Sequence, residues 1–178
     1  TVRASLGLLI VLAVAVAACS TGGATPARSG ADDETWRQAT LRDAVSGTEF
    51  RIADFEGKVV AIETMAIWCL NCRAQQTEAR AALERLDSPD LVYLSLDVDP
   101  NEPAAALADY ARREGFGWRF AVAPPEVSRS LAATFGDQIL SPPSTPLLVL
   151  DPDGQVVEQH LGIKSAADMV ALFEEHLP

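Results

Sequence analysis

The chain has 178 residues, is 48% hydrophobic and carries a formal net charge of −11. That length supports one compact domain with a proper core plus a short appendage, and the acidic excess, offset by no basic cluster, would be repelled by phosphates, which excludes a nucleic-acid binder. Three cysteines are too few for a disulfide-stapled scaffold, so each needs its own explanation.

Arg3 is followed by an uncharged, almost wholly apolar run from Leu6 to Ala18, and then by Cys19. The run is of signal-peptide length: a membrane-spanning helix needs about 20 apolar residues, and Ser20, Thr21, Gly22 and Gly23 interrupt it too early. Val16-Ala17-Ala18-Cys19 resembles a bacterial lipobox. That resemblance implies a signal peptide over 1–18, a lipid on Cys19, and an extracytoplasmic chain anchored to a bacterial membrane, on its periplasmic side or at the cell surface. An ordinary signal peptide with a chance cysteine is the other reading, and it exports the chain too. Residues 19–38 are expected to be the lipidated cysteine and a flexible tether, because Ser20 to Glu34 is Gly, Ala, Ser, Thr and Pro with scattered charge, too poor in large apolar groups to fold. The folded domain is then 39–178.

Lys58 to Met65 is a β-branched apolar run suited to a strand buried on both faces. Beyond it Cys72, Gln76, Ala79, Leu83 and Leu86 recur at helical spacing, Leu91 to Leu96 reads as a second buried strand, and Asn101 can cap a helix with Leu107, Tyr110 and Ala111 on its inner face. Phe116, Trp118 and Phe120 alternate as in a short strand, and Val127, Leu131 and Phe135 follow at helical spacing until Gly136. Pro146 to Leu150 and Val156 to His160 flank Asp151-Pro152-Asp153-Gly154, the chemistry of a hairpin turn. Ser165 with Asp168 predicts a capping box for a last helix carrying Met169, Leu172, Phe173 and His176 on one side.

Trp68-Cys69-Leu70-Asn71-Cys72 lies between a buried strand and the first turn of a helix. A helix N-terminus offers unpaired N–H groups and partial positive charge, so Cys69 is the expected nucleophile and Cys72, one turn further in, the residue that resolves a mixed disulfide. Cys72 is expected to be buried and protonated at rest, and Glu63, in the middle of an apolar strand, is the candidate base, its pKa raised by desolvation. A strand-end glutamate facing water is the alternative. Trp68 is expected to shield the thiolate and form part of a docking surface.

Strand, W-C-x-x-C, helix, and then Thr145-Pro146 opening a late strand before a hairpin resemble the thioredoxin fold, over about Thr40 to Leu177. The exported signal, an N-terminal extension expected to form a hairpin (Ala39 to Arg51) and Asp97-Val98-Asp99 after the second strand look like the membrane-tethered TlpA and ResA branch of thioredoxin-like reductases. The resemblance implies an α/β fold with a central mixed sheet flanked by helices and an N-terminal β-hairpin extension. It also implies a cis Pro146 against the cysteines, which would present the Thr145 backbone to an extended client and keep metal from the thiols, and a proton acceptor at Glu63. Protein thiol and disulfide clients follow from it, among them apocytochrome c cysteines or an oxidase copper-assembly factor, with electrons from a membrane thiol carrier of the CcdA or DsbD kind. No organic cofactor or metal is required. Leu70-Asn71 departs from the usual pair ending in proline, and Gln75 stands where the branch commonly has glutamate. Both positions tune thiolate stability, so oxidant and reductant stay open, the branch favouring reductant.

Zinc would need four ligands, and beyond the pair only His160, His176 and Cys19 remain. A Sco-like copper-delivery protein could use His160, but its cysteines are normally separated by three residues. A peroxiredoxin-like peroxidase lacks the threonine and proline it would need around Met65-Ala66-Ile67. A non-catalytic thioredoxin-like binding module with a permanent disulfide is the remaining alternative.

Overall fold

The computed structural model describes Thr1 and residues 34–178; the Leu6 to Ala18 run and Cys19 lie outside the described residues. The first element is one helical turn, α1 (Thr35–Gln38), whose Trp36 is 1% exposed and meets Phe135 edge-on at 5.3 Å. Thr35 to Gln38, expected to belong to a tether, thus form a packed helical turn. Four residues do not make a stable helix by propensity, and it is the burial of an indole, an area of about 150–250 Å², that fixes the turn.

The extension after it forms the expected hairpin, β1 (Leu41–Arg42) against β2 (Glu49–Phe50). Asp43 closes its turn by accepting the N–H groups of Val45 and Ser46 and the Ser46 hydroxyl. There follow β3 (Val59–Met65), α2 (Leu70–Leu86), β4 (Leu91–Asp97), α3 (Ala104–Glu114), β5 (Arg119–Val122), α4 (Pro125–Phe135), β6 (Leu147–Leu150), β7 (Val156–His160) and α5 (Ala166–His176). The sheet runs β5-β4-β3-β6-β7; β3, β4 and β5 are parallel, while β6 runs antiparallel to β3 and β7 to β6. This is the mixed, helix-flanked sheet expected from the sequence.

Strand side chains alternate between two faces. Val60, Ile62, Leu94 and Leu96 turn one way, onto Trp36, Val127 and Leu131; Val59, Ala61 and Tyr93 turn the other way, onto Ala79 and Ala82 of α2 and Met169 and Phe173 of α5. All seven residues of β3 are buried, which explains a run apolar on both faces save Glu63 and Thr64. A third cluster joins Met65, Ala66, Cys69 and Cys72 to Leu107, Tyr110 and Ala111 of α3.

Two local expectations fail. Asn101 does not cap α3: its N–H and side-chain amide both go to Asp99 Oδ1, and Pro103, whose ring fixes φ for helix entry, stands at the cap without a side-chain bond. Phe116 and Trp118 precede the strand rather than belonging to it, because pairing with β4 begins only at Arg119; the two rings stack at 4.8 Å instead. Ser165 caps α5 as expected, accepting the Asp168 N–H at 3.2 Å. Among the described residues no helix is long and apolar enough to cross a membrane.

Candidate active site

The strand β3 delivers its chain to a tight loop. Met65 C=O takes the Val98 N–H, and Ala66 C=O takes the Cys69 N–H at 3.0 Å, which places Cys69 at the N-cap of α2 in extended conformation. Its Sγ accepts the Cys72 N–H at 3.1 Å, so the sulfur stands where a capping oxygen usually does and faces the positive end of the helix. Charge on Cys69 is favoured there over charge on Cys72. The two residues are joined as a disulfide with Cα atoms 5.3 Å apart. Cys72 is wholly buried, and its Sγ lies 3.2 Å from the Pro142 carbonyl oxygen, a hydrogen bond available only to the reduced thiol. Cys69 itself is only 3% exposed, whereas Trp68 and Leu70 beside it are 56% and 71% exposed, a large apolar outlay around the pair.

Glu63 faces the α2 side of the sheet, with no exposed surface. The Ser95 hydroxyl donates to its Oε2 at 3.1 Å and the Tyr93 hydroxyl at 3.4 Å. Burial pushes its pKa up to about 8, against the opposing pull of Gln76, Ser95 and Tyr93, so it is a neutral acid over most of the physiological range. The water-facing reading of Glu63 is thereby excluded. Around it runs a polar chain that composition alone did not reveal: the Tyr110 hydroxyl donates to Gln76 Oε1 at 2.5 Å, and the Trp118 indole donates to Ser95 Oγ at 2.9 Å. Its signal was Gln76, a polar residue repeating on an otherwise apolar helix stripe.

Trp68 is fixed by its indole N–H, which donates to Asp99 Oδ2 at 2.7 Å. On the other side Asn71 Nδ2 donates to the Pro143 carbonyl at 2.9 Å. Thr145 and Pro146 reach this same end of the sheet, but Pro146 is not cis: the described residues contain no cis peptide bond. A turn over Pro142–Ser144 brings the chain round so that Thr145 takes up the left-handed region (φ +43°), donates its N–H to Pro142 O and leaves Pro146 O for the Thr64 N–H. That geometry makes the approach to β6 without a cis bond, and it commits the Thr145 N–H internally. Gln75 does not face the cysteines; its carboxamide ties α2 to the segment before α5, accepting the Lys164 N–H at 2.7 Å. His160 is half-buried with Nδ1 3.7 Å from Glu158, its pKa lowered by burial and by Lys164. Among the described residues no three of His, Cys, Asp and Glu are grouped to hold a metal ion.

No family model matches the sequence, and no curated protein matches it. Solved structures do resemble the fold. A thiol:disulfide interchange protein of the thioredoxin family from Chlorobium tepidum TLS superposes with a TM-score of 0.64 at 20% identity, over 79% of this chain and 93% of that one. The fold of this chain is the thioredoxin fold. A secreted Mycobacterium tuberculosis disulfide oxidoreductase homologous to E. coli DsbE matches at 0.61 and 14% identity, over 80% of this chain and 98% of its own. BsSco, a member of the Sco family of cytochrome c oxidase assembly proteins, matches at 0.63 and 16% identity, over 78% and 90%.

Proposed function

We propose that the chain is an extracytoplasmic thiol-disulfide oxidoreductase of the TlpA and ResA type, working through Cys69 and Cys72. The observation that carries this reading is the disulfide at the N-cap of α2 on the same side of the sheet as a buried, proton-bearing Glu63. In the reducing direction the Cys69 thiolate attacks one sulfur of a client disulfide; the client's S–S bond breaks, its other sulfur leaves as a thiolate, and a mixed disulfide forms. Cys72 then attacks Cys69, closing the intramolecular bond and releasing the second client thiolate. Two electrons pass to the client, and the proton lost by Cys72 goes to an ionised Glu63.

Trp68, Leu70, Thr145 and Pro146 frame the client site in this reading, and the resemblance to the TlpA and ResA branch supports reduction of apocytochrome c or copper-assembly thiols, fed by a membrane carrier of the CcdA or DsbD kind. Lipidation of Cys19, tethering and membrane anchorage belong to the same proposal. The 3% exposure of Cys69 favours a second reading, a binding module with a permanent disulfide. Replacing Cys72 by serine separates them: Cys72→Ser should accumulate mixed disulfides through Cys69 with a disulfide-bonded model client. A variant that folds yet forms none contradicts the enzymatic reading.

A further inference from the structure

A second acid is buried with no cation beside it. Asp97, the last residue of β4, has no exposed surface. Its Oδ1 accepts the Asp99 N–H at 3.0 Å, no protein donor reaches its Oδ2, and its carboxyl is within hydrogen-bond reach of the Glu102 carboxyl. Glu102 Oε2 in turn accepts the backbone N–H of Ile67 at 2.7 Å, two residues before Cys69. The strand neighbours of Asp97 are Met65 and Val122, and the charges acting on it are those of Asp99 and Glu102, both acids. Two carboxyl groups in contact attract only while one of them holds a proton, since two anions there would repel. Burial, with the two neighbouring acids, raises the Asp97 pKa to about 8, which is consistent with that proton being present at neutrality.

We propose that Asp97 holds a proton that it donates to Glu102, and that the two act as positioning residues for Cys69: the bonded pair holds the Ile67 N–H, and loss of the Asp97 proton parts the carboxyls and frees the Ile67–Trp68 stretch. Asp99 does not take this part, because the Trp68 indole holds its pKa below the ordinary carboxylate range. The device rests on Cys69 being the nucleophile, but it is read most directly in the oxidised protein, where neither active-site cysteine titrates.

The test is the pH dependence of the Ile67 amide resonance in the oxidised, ¹⁵N-labelled full chain. One transition near the Asp97 pKa of about 8 is expected. It should persist in Glu63→Gln, which removes the other buried acid, and vanish in Asp97→Asn, whose amide donates to Glu102 at every pH. Glu102→Gln carries the same expectation should Asp97→Asn not fold. A flat wild-type profile, a transition kept in both Asp97→Asn and Glu102→Gln, or one lost in Glu63→Gln overturns the proton held by Asp97. In the reduced protein the rate of Cys69 alkylation per thiolate should fall above the transition in wild type and stay level in Asp97→Asn. Superimposable profiles would overturn the positioning role while leaving thiol-disulfide exchange untouched.

Discussion

The cysteine loop is clasped from two sides by different chemistry. Toward the end of β4 it is held by carboxyl groups: Glu102 on the Ile67 N–H and Asp99 on the Trp68 indole. Toward β6 it is held by backbone carbonyls: Pro143 O takes the Asn71 amide, and Pro142 O stands 3.2 Å from Cys72 Sγ. Carboxyls titrate and carbonyls do not. In the proposed mechanism pH therefore acts on the Cys69 side of the loop and leaves the Cys72 side fixed, apart from Glu63 beneath the sheet face that α2 covers.

The largest effect expected removes what both sides serve. Cys69→Ser should abolish disulfide exchange, with turnover lost by at least about a thousandfold, measured by reduction of a disulfide-bonded protein substrate. Next is Glu63→Gln, which keeps the hydrogen-bonding shape and deletes the proposed base. The resolving step should slow by about a hundredfold at neutral pH and lose its rise toward pH 8, in stopped-flow kinetics of mixed-disulfide decay.

Glu63 also carries a stability signature with a definite sign. Its folded pKa, about 8, lies above the ordinary 4.5, so the folded chain binds the extra proton; stability is full below about pH 4.5 and falls as pH rises toward 8. At about 1.4 kcal/mol per pK unit the loss is several kcal/mol, and urea unfolding of Glu63→Gln should show a correspondingly shallower decline. The smallest effects separate the two sides directly. Asn71→Ala should cost about 1 kcal/mol at every pH, since its acceptor is a carbonyl. Asp99→Ala should cost a comparable amount at neutrality, and that cost should fade as pH falls through the depressed Asp99 pKa, because the wild type then loses its carboxylate. Equal pH profiles for these two variants would erase the contrast.

Much of this was legible in the residues. Hydrophobic runs long enough to be buried on both faces located β3 and β4, Asp151 to Gly154 located the β6–β7 turn, and a single glutamate in an apolar strand marked Glu63. What the sequence hid depends on contacts between distant segments. Trp36 reads as part of a polar tether until the surface of α4 is there to receive it. Glu102 reads as a loop acid until the chain folds it onto Ile67, 35 residues earlier. The turn at Pro142–Ser144 and the left-handed Thr145 before a trans Pro146 are features that a two-residue motif does not encode.

The central claim, that Cys69 and Cys72 are a working redox pair, is tested most directly by their reduction potential, equilibrated against glutathione or dithiothreitol buffers and followed by Trp68 fluorescence. Reversible reduction of the folded protein is expected at a potential between about −270 mV, as in thioredoxin, and about −120 mV, as in DsbA, with a reductase at the lower end. A pair that can be reduced only by unfolding the domain would contradict it.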